Sequence, residues 1–446
     1  MVRRGHEVEE LSTGLTIRGI ALVLLMTVMV LTYIVYGVII ALILLLVLAS
    51  IVITTYYRVK AFEVSLDKGY IRVTRLLPNK AIAGEKLEVT LLVENKSPLL
   101  IDKLIVMDTP SNHMYILRSP VILLDWLEPG SLIKRSYRVV PRIGRNEFDD
   151  LIVRACDFLS IYCAQAYFKQ YNVLEVLPPF IPSRHALALE ATIAAGMTAY
   201  KYRGLGTIFY GIREYRANDP SKLIDWKHSL KTLLQKLYVK EFEAESPANL
   251  ILVLLFSNKS FMGLPLESPF ERILLSSLSI LRGIVRGYAK AALLIATPLQ
   301  VLGTSYRSGS FLLNEAMKIA SSVTWPGYEE VYLEASYKPP DTRTLVARLN
   351  KVLSGIRERT QVLLIYHLSG YESLGSSRQR IIDMLSSINR EHKLRLLIAY
   401  GTPISRLIRR AMDLATKIMY EANTTGVTTS IAPYDALQYH IARIIY

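Results

Sequence analysis

Residues 20–53 read IALVLLMTVMVLTYIVYGVIIALILLLVLASIVI, with no charged side chain in the run. Only Thr27, Thr32, Tyr33, Tyr36 and Ser50 interrupt it. One membrane crossing takes about 20 helical residues. The run is therefore too long for a single span and predicts two short helices turning near Tyr36 and Gly37. A secretory leader fits poorly, because its apolar core is about 7–15 residues long and is followed by a small-residue cleavage site. Arg3, Arg4 and Arg18 precede the run, and Arg58, Lys60, Lys68 and Arg72 follow it. Matched basic flanks favour a hairpin that returns to the cytoplasm, with the soluble part on that side of a cell membrane. The alternative is one long tilted helix with the bulk of the chain outside. Beyond Lys60 no stretch approaches membrane length, so the run reads as an anchor and not a pore.

The rest of the chain is long, ordered and basic. Its 446 residues carry 53 Lys and Arg against 38 Asp and Glu, a formal charge of +15, and 51% are hydrophobic. That balance excludes a disordered or fibrous chain. Two cysteines, Cys156 and Cys163, exclude a disulfide scaffold and a four-cysteine zinc site. They could bond to each other, but free semi-buried thiols are the expectation for a cytoplasmic domain.

From Ala61 to Val176 the pattern is that of short strands. In Lys86–Glu94 the apolar residues Leu87, Val89, Leu91 and Val93 alternate with neighbours on the other face, as in a half-buried strand. Similar runs at Tyr70–Leu77, Leu100–Met107, Ser131–Val140, Glu147–Ala155 and Tyr171–Leu177 predict an antiparallel β-sandwich. Pro178, Pro179 and Pro182 then break the pattern. After Asn249, strands are expected at Leu250–Phe256, Ala291–Ala296, Val331–Ala335, Gln361–Tyr366 and Leu394–Tyr400. Helices are expected at Glu271–Tyr288, Thr342–Ile356, Arg378–Asn389 and Pro403–Glu421, the last with Ile404, Leu407, Ile408, Ala411, Met412, Ala415, Ile418 and Met419 along one face. Such alternation implies a mostly parallel sheet covered by helices. The expected domains are 1–58 (tail and transmembrane hairpin), 59–178 (β-sandwich), 179–248 (linker and motif segment) and 249–446 (α/β).

Signatures of well-understood chemistry are missing. There is no GxxxxGK[ST], HExxH or GxSxG, and the seven histidines have no second ligand at helical spacing. No catalytic residue, cofactor or nucleic-acid partner is expected. One segment is unusual, RGLGTIFYGIREYRANDPSKLIDWKHSLKTLLQKLYVKEFEAE at 203–245, which crowds charged and aromatic residues. Asp219 before Pro220 reads as a helix start. Arg213, Tyr215, Asp219, Asp225 and Trp226 suit a structural clamp of Arg–carboxylate pairs with Trp226 packed inside, or else a docking surface.

This segment resembles the hallmark of the domain of unknown function 58 family, close to RGxGxEFxxxRxYxxGDxxRxIDWxxSAR. Arg203, Gly204, Gly206, Phe209, Arg213, Tyr215, Asp219, Ile224, Asp225 and Trp226 match in order. Ile208, Asn218, Lys222 and Leu230 depart from it. Residues 140–145 (VPRIGR) and 156–159 (CDFL) resemble the family's sandwich segments in weakened form. The resemblance implies a C-terminal domain similar to a von Willebrand factor A domain. Such domains often bind a divalent metal through DxSxS, and the matching positions here are Phe256, Asn258 and Ser260. With the aspartate replaced by Phe256 and Lys259 adding a positive charge, no metal site is expected. The resemblance further implies a non-enzymatic membrane scaffold or adaptor acting with a MoxR-type AAA+ ATPase on a client protein, in complex assembly or maturation. The alternative is an envelope-facing protein that recognises a surface partner.

Overall fold

The computed structural model describes residues 8–179, 202–216, 219, 221–231, 236–244, 249–286, 290–333, 336–356, 360–373, 379–380, 393–424, 427–435 and 437. The chain divides into two compact units, 1–176 and 177–446.

In the first unit the apolar run forms two helices, Ile17–Tyr36 and Ile39–Asp67, each long and apolar enough to cross a membrane. The turn falls at Gly37, whose left-handed φ of 63° closes the first helix by donating its N–H to Tyr33 O at 2.8 Å. Both outer ends of the hairpin meet the same β-rich region. Thr16 N donates to Ile161 O at 2.9 Å, and Arg58 pairs with Asp102 at 2.7 Å. Gly19 is required at the first contact, since a Cβ there would lie 2.6 Å from Ile161 O. The second helix continues past the apolar run as far as Asp67, burying Val59, Phe62 and Leu66. The extended chain expected from Ala61 is thus corrected. Apolar residues at 59, 62 and 66 have helical spacing and find the β region beneath them.

The β region holds antiparallel sheets. The five-stranded sheet runs in the order Val8–Leu15, Tyr162–Phe168, Leu151–Cys156, Ile101–Met107, Val121–Leu127. A four-stranded sheet joins Ile71–Leu76, Leu87–Asn95, Leu132–Val140 and Tyr115–Ile116. A three-stranded one joins Lys80–Ile82, Asn172–Leu177 and Gly144–Phe148. The expected strand Glu147–Ala155 is two strands with a break at Asp149 and Asp150. The strand Val8–Leu15 was expected to be part of a tail, and it instead completes the five-stranded sheet. Cys156 sits directly opposite Cys163 across an antiparallel pair, with Cα atoms 4.1 Å apart, and the two form a disulfide. This corrects the expectation of free thiols. Their close spacing spans one tight turn, Asp157–Ile161, which brings them face to face.

One buried ion pair ties these strands together. Arg75 and Asp108 are fully buried, and all five guanidinium N–H donors are used. Nε and Nη2 donate to Asp108, Nη1 to Gln170 O and Asn172 Oδ1, and Nη2 also to Asp149 O. Tyr137 donates its hydroxyl to Asp108 at 2.6 Å, and burial first, then that carboxylate, pushes the phenol pKa up.

In the second unit a six-stranded mixed sheet runs in the order Val301–Gly303, Ala291–Ala296, Asn249–Leu255, Thr360–Leu368, Lys393–Tyr400, Thr428–Pro433. All pairs are parallel except the Val301–Gly303 edge. Helices Pro269–Arg286, Ser310–Ser321, Thr342–Ser354 and Ser405–Thr424 accompany it. Ile251, Val253, Leu364, Leu396 and Ile398 form its centre. The strand expected at Val331–Ala335 is corrected. Residues Tyr328–Tyr332 form a short helix, with Glu329 and Glu330 in its first turn where the helix dipole favours acids. The helix expected at Arg378–Asn389 lies almost wholly outside the described residues. In Ser405–Thr424 the buried stripe is Ala411, Leu414, Ala415, Ile418 and Ala422, while Ile408 and Met412 are exposed. The expected face is therefore rotated.

Candidate functional site

The motif segment forms a two-stranded antiparallel ribbon, Tyr202–Glu214 with Tyr238–Ala244, and a short helix Trp226–Lys231. Arg203 pairs in register with Glu243, and Gly204 with Phe242. Phe209 then returns to Phe242, so Leu205–Ile208 bulge out of the ladder with Gly206 inside the bulge. Past the bulge, Arg213 forks onto Asp219, Nη1 at 2.7 Å and Nη2 at 2.6 Å. Asp219 also accepts Arg216 N at 2.7 Å. These bonds, the Arg213 fork first, hold its carboxyl down to about 2.

Asp225 plays the part that Asp219 was expected to play. It is buried, and its carboxylate accepts the N–H groups of Lys227 at 3.1 Å and His228 at 3.3 Å, capping the Trp226–Lys231 helix. Buried Ser229 locks the helix to the ribbon, donating to Asp225 O and accepting from Tyr238 N, each at 2.9 Å. The clamp reading is thus corrected in two respects. Among the described residues Asp225 caps a helix and makes no arginine pair, and Trp226 is 57% exposed rather than packed inside. Tyr215 and Leu230 are exposed as well, which leaves two large groups on the short helix and one just past the first ribbon strand open to solvent.

The second candidate is the point where the strand order of the six-stranded sheet reverses. In open α/β sheets ligands bind outside the carboxyl ends of the strands at such a point. Here it lies between the ends of Asn249–Leu255 and Thr360–Leu368, and buried protein groups fill it. Phe256 is buried edge-on against Phe270. Asn258 Nδ2 donates to Glu330 O and Ser336 O, and its Oδ1 accepts from Lys338 N at 2.8 Å. Lys259 is fully buried, with Nζ donating to the carbonyls of Glu330 and Val331 at 3.0 Å and to Leu333 O. Its ammonium also lies 5.2 Å from the Tyr371 ring centre.

Ser260 Oγ meets His367 Nδ1 at 2.8 Å, and His367 Nε2 meets Gly401 O at 2.8 Å. A carbonyl only accepts, so Nε2 carries the proton and Nδ1 accepts from the Ser260 hydroxyl. Burial lowers the His367 pKa to about 4, opposed by the Gly401 bond. Buried Glu372 accepts Ser369 N, Ser369 Oγ and Gly370 N, yet burial dominates and pushes its pKa up. Among the described residues no group of three or more His, Cys, Asp or Glu is placed to hold a metal. In the sequence Lys259 reads only as a charge against metal binding, His367 only as one of seven scattered histidines, and nothing marks Glu372. Their one signal is position: Lys259 and Glu372 follow buried strands closely, and His367 lies near the end of one, Thr360–Leu368.

No family model matches the chain, and no curated protein matches it. Among solved structures, trypsin-activated alpha-2-macroglobulin from Escherichia coli is similar over 33% of this chain and 9% of that one, at 14% identity and a TM-score of 0.21. Bacteroides uniformis beta-glucuronidase is similar over 81% of this chain and 45% of that one, at 8% identity and a TM-score of 0.18. Likeness at this level carries no argument about fold or activity.

Proposed function

We propose that the chain is a non-enzymatic, membrane-anchored scaffold or adaptor whose motif ribbon docks a partner. The observation that carries this reading is the exposure of Trp226, Leu230 and Tyr215 on and beside a short helix hydrogen-bonded to the ribbon. Aromatic residues of this kind are common interface anchors. The reading includes a β-sandwich and a von Willebrand factor A-like second unit, supported by the 3-2-1-4-5-6 strand order with an antiparallel third strand. The partner is a MoxR-type AAA+ ATPase, supported by the motif's resemblance, and the pair acts on a client protein in assembly or maturation. The soluble part faces the cytoplasm, because the helical turn at Gly37 is uncharged while Arg18, Arg58 and Lys60 lie at the other end. A pull-down from solubilised membranes tests the reading. The wild-type chain should retain an ATPase that Trp226→Ala loses, and equal recovery by both would contradict it.

A second reading is favoured by the Cys156–Cys163 disulfide, since such bonds persist mainly in oxidising compartments. It is an envelope-facing protein that recognises a surface partner. Lys80 is exposed on the β region, and Lys80→Cys in intact cells separates the two. Resistance to a membrane-impermeant thiol reagent supports the cytoplasmic side, and rapid labelling supports the envelope side.

A further inference from the structure

Where the first apolar helix leaves the β region, the five-stranded sheet and the first helical turn enclose an open cavity of about 560 Å³. Its chemistry is one-sided. Arg18 and Arg154 line it with Ser12, Ser160 and Gln165, and no carboxylate is among its lining residues. Arg154 gives Nε and Nη2 to Gln165 Oε1, at 3.2 and 2.6 Å, and among the described residues its Nη1 has no acceptor. The exposed Arg18 makes no ion pair among the described residues. Lys103 stands at the edge, its Nζ donating to Ser160 Oγ at 3.1 Å.

The cavity also adjoins the start of the first apolar helix. Thr16 and Ile17, where the apolar helix begins, form part of its wall. The turn Asp157–Ile161, whose Ser160 lines the cavity, carries Phe158 at 59% exposure and an exposed Leu159, and Phe158 meets Trp126, itself 50% exposed, at 5.4 Å between ring centres. That turn is fixed at the level of both helices. Thr16 donates to Ser160 O, and Asp102 accepts Phe158 N while pairing with Arg58. Exposed aromatic rings beside the start of an apolar helix are the composition of a membrane–water interface.

We propose that this cavity binds the phosphodiester headgroup of an anionic membrane lipid. Arg18 and Arg154 hold the phosphate, which guanidinium groups match by charge and by fork geometry. Ser12 and Ser160 face the polar headgroup substituent, Ile17 lies towards the acyl chains, and Trp126, Phe158 and Leu159 seat the β region in the interface. The proposal rests on the membrane-anchor part of the reading above and does not depend on which leaflet the β region meets.

The test uses the full chain in a neutral detergent, with melting temperature as the readout. The probes are dihexanoyl phosphatidylglycerol, dihexanoyl phosphatidylcholine, glycerol 3-phosphate and inorganic phosphate. Phosphatidylglycerol should raise the melting temperature saturably, while phosphatidylcholine and inorganic phosphate leave it unchanged. Arg154→Gln and the exposed Arg18→Gln should each weaken the response about tenfold or more, with unliganded melting close to wild type for Arg18→Gln. An identical response in wild type and both variants overturns the site. A response to inorganic phosphate or glycerol 3-phosphate equal to that of phosphatidylglycerol overturns the lipid assignment in favour of a soluble phosphate compound. Alkaline carbonate extraction of native membranes tests the anchor by itself. A chain washed off the membrane refutes the anchor, whereas a retained chain that ignores phosphatidylglycerol refutes only the site.

Discussion

His367 makes the stability of the second unit depend on pH in a direction the structure fixes. The ring is fully buried, with its two nitrogens used by Ser260 and Gly401, and burial lowers its pKa from 6.5 to about 4. The folded state therefore holds the ring neutral where the unfolded chain already takes up a proton. Its contribution is complete above about pH 6.5, declines as pH falls, and has no further to fall below about pH 4. That difference in pKa corresponds to about 3 kcal/mol. The perturbation is His367→Gln, which keeps a polar side chain but removes the titration. Urea unfolding of the detergent-solubilised chain would be measured between pH 7 and pH 4. The readout is hydrogen–deuterium exchange, after a jump to a common pH, in peptides covering Thr360–Leu368. Glu372, raised by burial, works in the opposite sense, but it is common to both proteins and drops out of the comparison. The gap between wild type and variant should shift by about 3 kcal/mol over the range, with wild type losing more. Parallel curves would refute the assignment of a neutral, buried ring.

In the first unit, Arg75→Met strands the buried Asp108 carboxylate and should cost about 3–5 kcal/mol in urea unfolding, with Arg75→Met/Asp108→Leu recovering much of it. In the ribbon, Asp225→Ala removes a helix cap and should cost about 1 kcal/mol. Trp226→Ala should change stability less and partner binding more, so a loss above about 3 kcal/mol for Trp226→Ala would restore the packed-inside reading. The Arg213–Asp219 fork should hold at neutral pH and open as pH falls through about 2, the depressed carboxyl being its acid limit. Arg213 Nε chemical shifts would follow this. With Lys259 donating to three carbonyls at the strand-reversal point, millimolar Mg²⁺ at constant ionic strength should leave the melting temperature unchanged, and a rise reversed by chelator would contradict that reading.

The features legible in sequence were those with strong periodicity or strong segregation. The uncharged run with Gly37 at its middle foretold two apolar helices, and Leu87–Asn95 shows the alternation it predicts. Val121–Leu127 escaped because exposed Leu123 and Trp126 erase that alternation. Tyr162–Phe168 escaped because two of its three buried residues are the small Ala164 and Ala166. The motif named the right residues for the ribbon but not their roles. Two aspartates six positions apart look alike in sequence, and only the fold decides that Asp219 takes the arginine and Asp225 takes the helix N–H groups. The cavity at Arg18 and Arg154 was invisible for a different reason. It exists only because Val8–Leu15 pairs with Tyr162–Phe168, a contact across most of the first unit.

The docking claim is tested most directly by placing a photoreactive benzoylphenylalanine at position 226 and irradiating native membranes. A crosslinked adduct with an AAA+ ATPase is expected, identified by mass spectrometry and absent when the same group replaces Lys80 on the β region. Adducts confined to this chain, from a protein shown to be folded and membrane-retained, would contradict it.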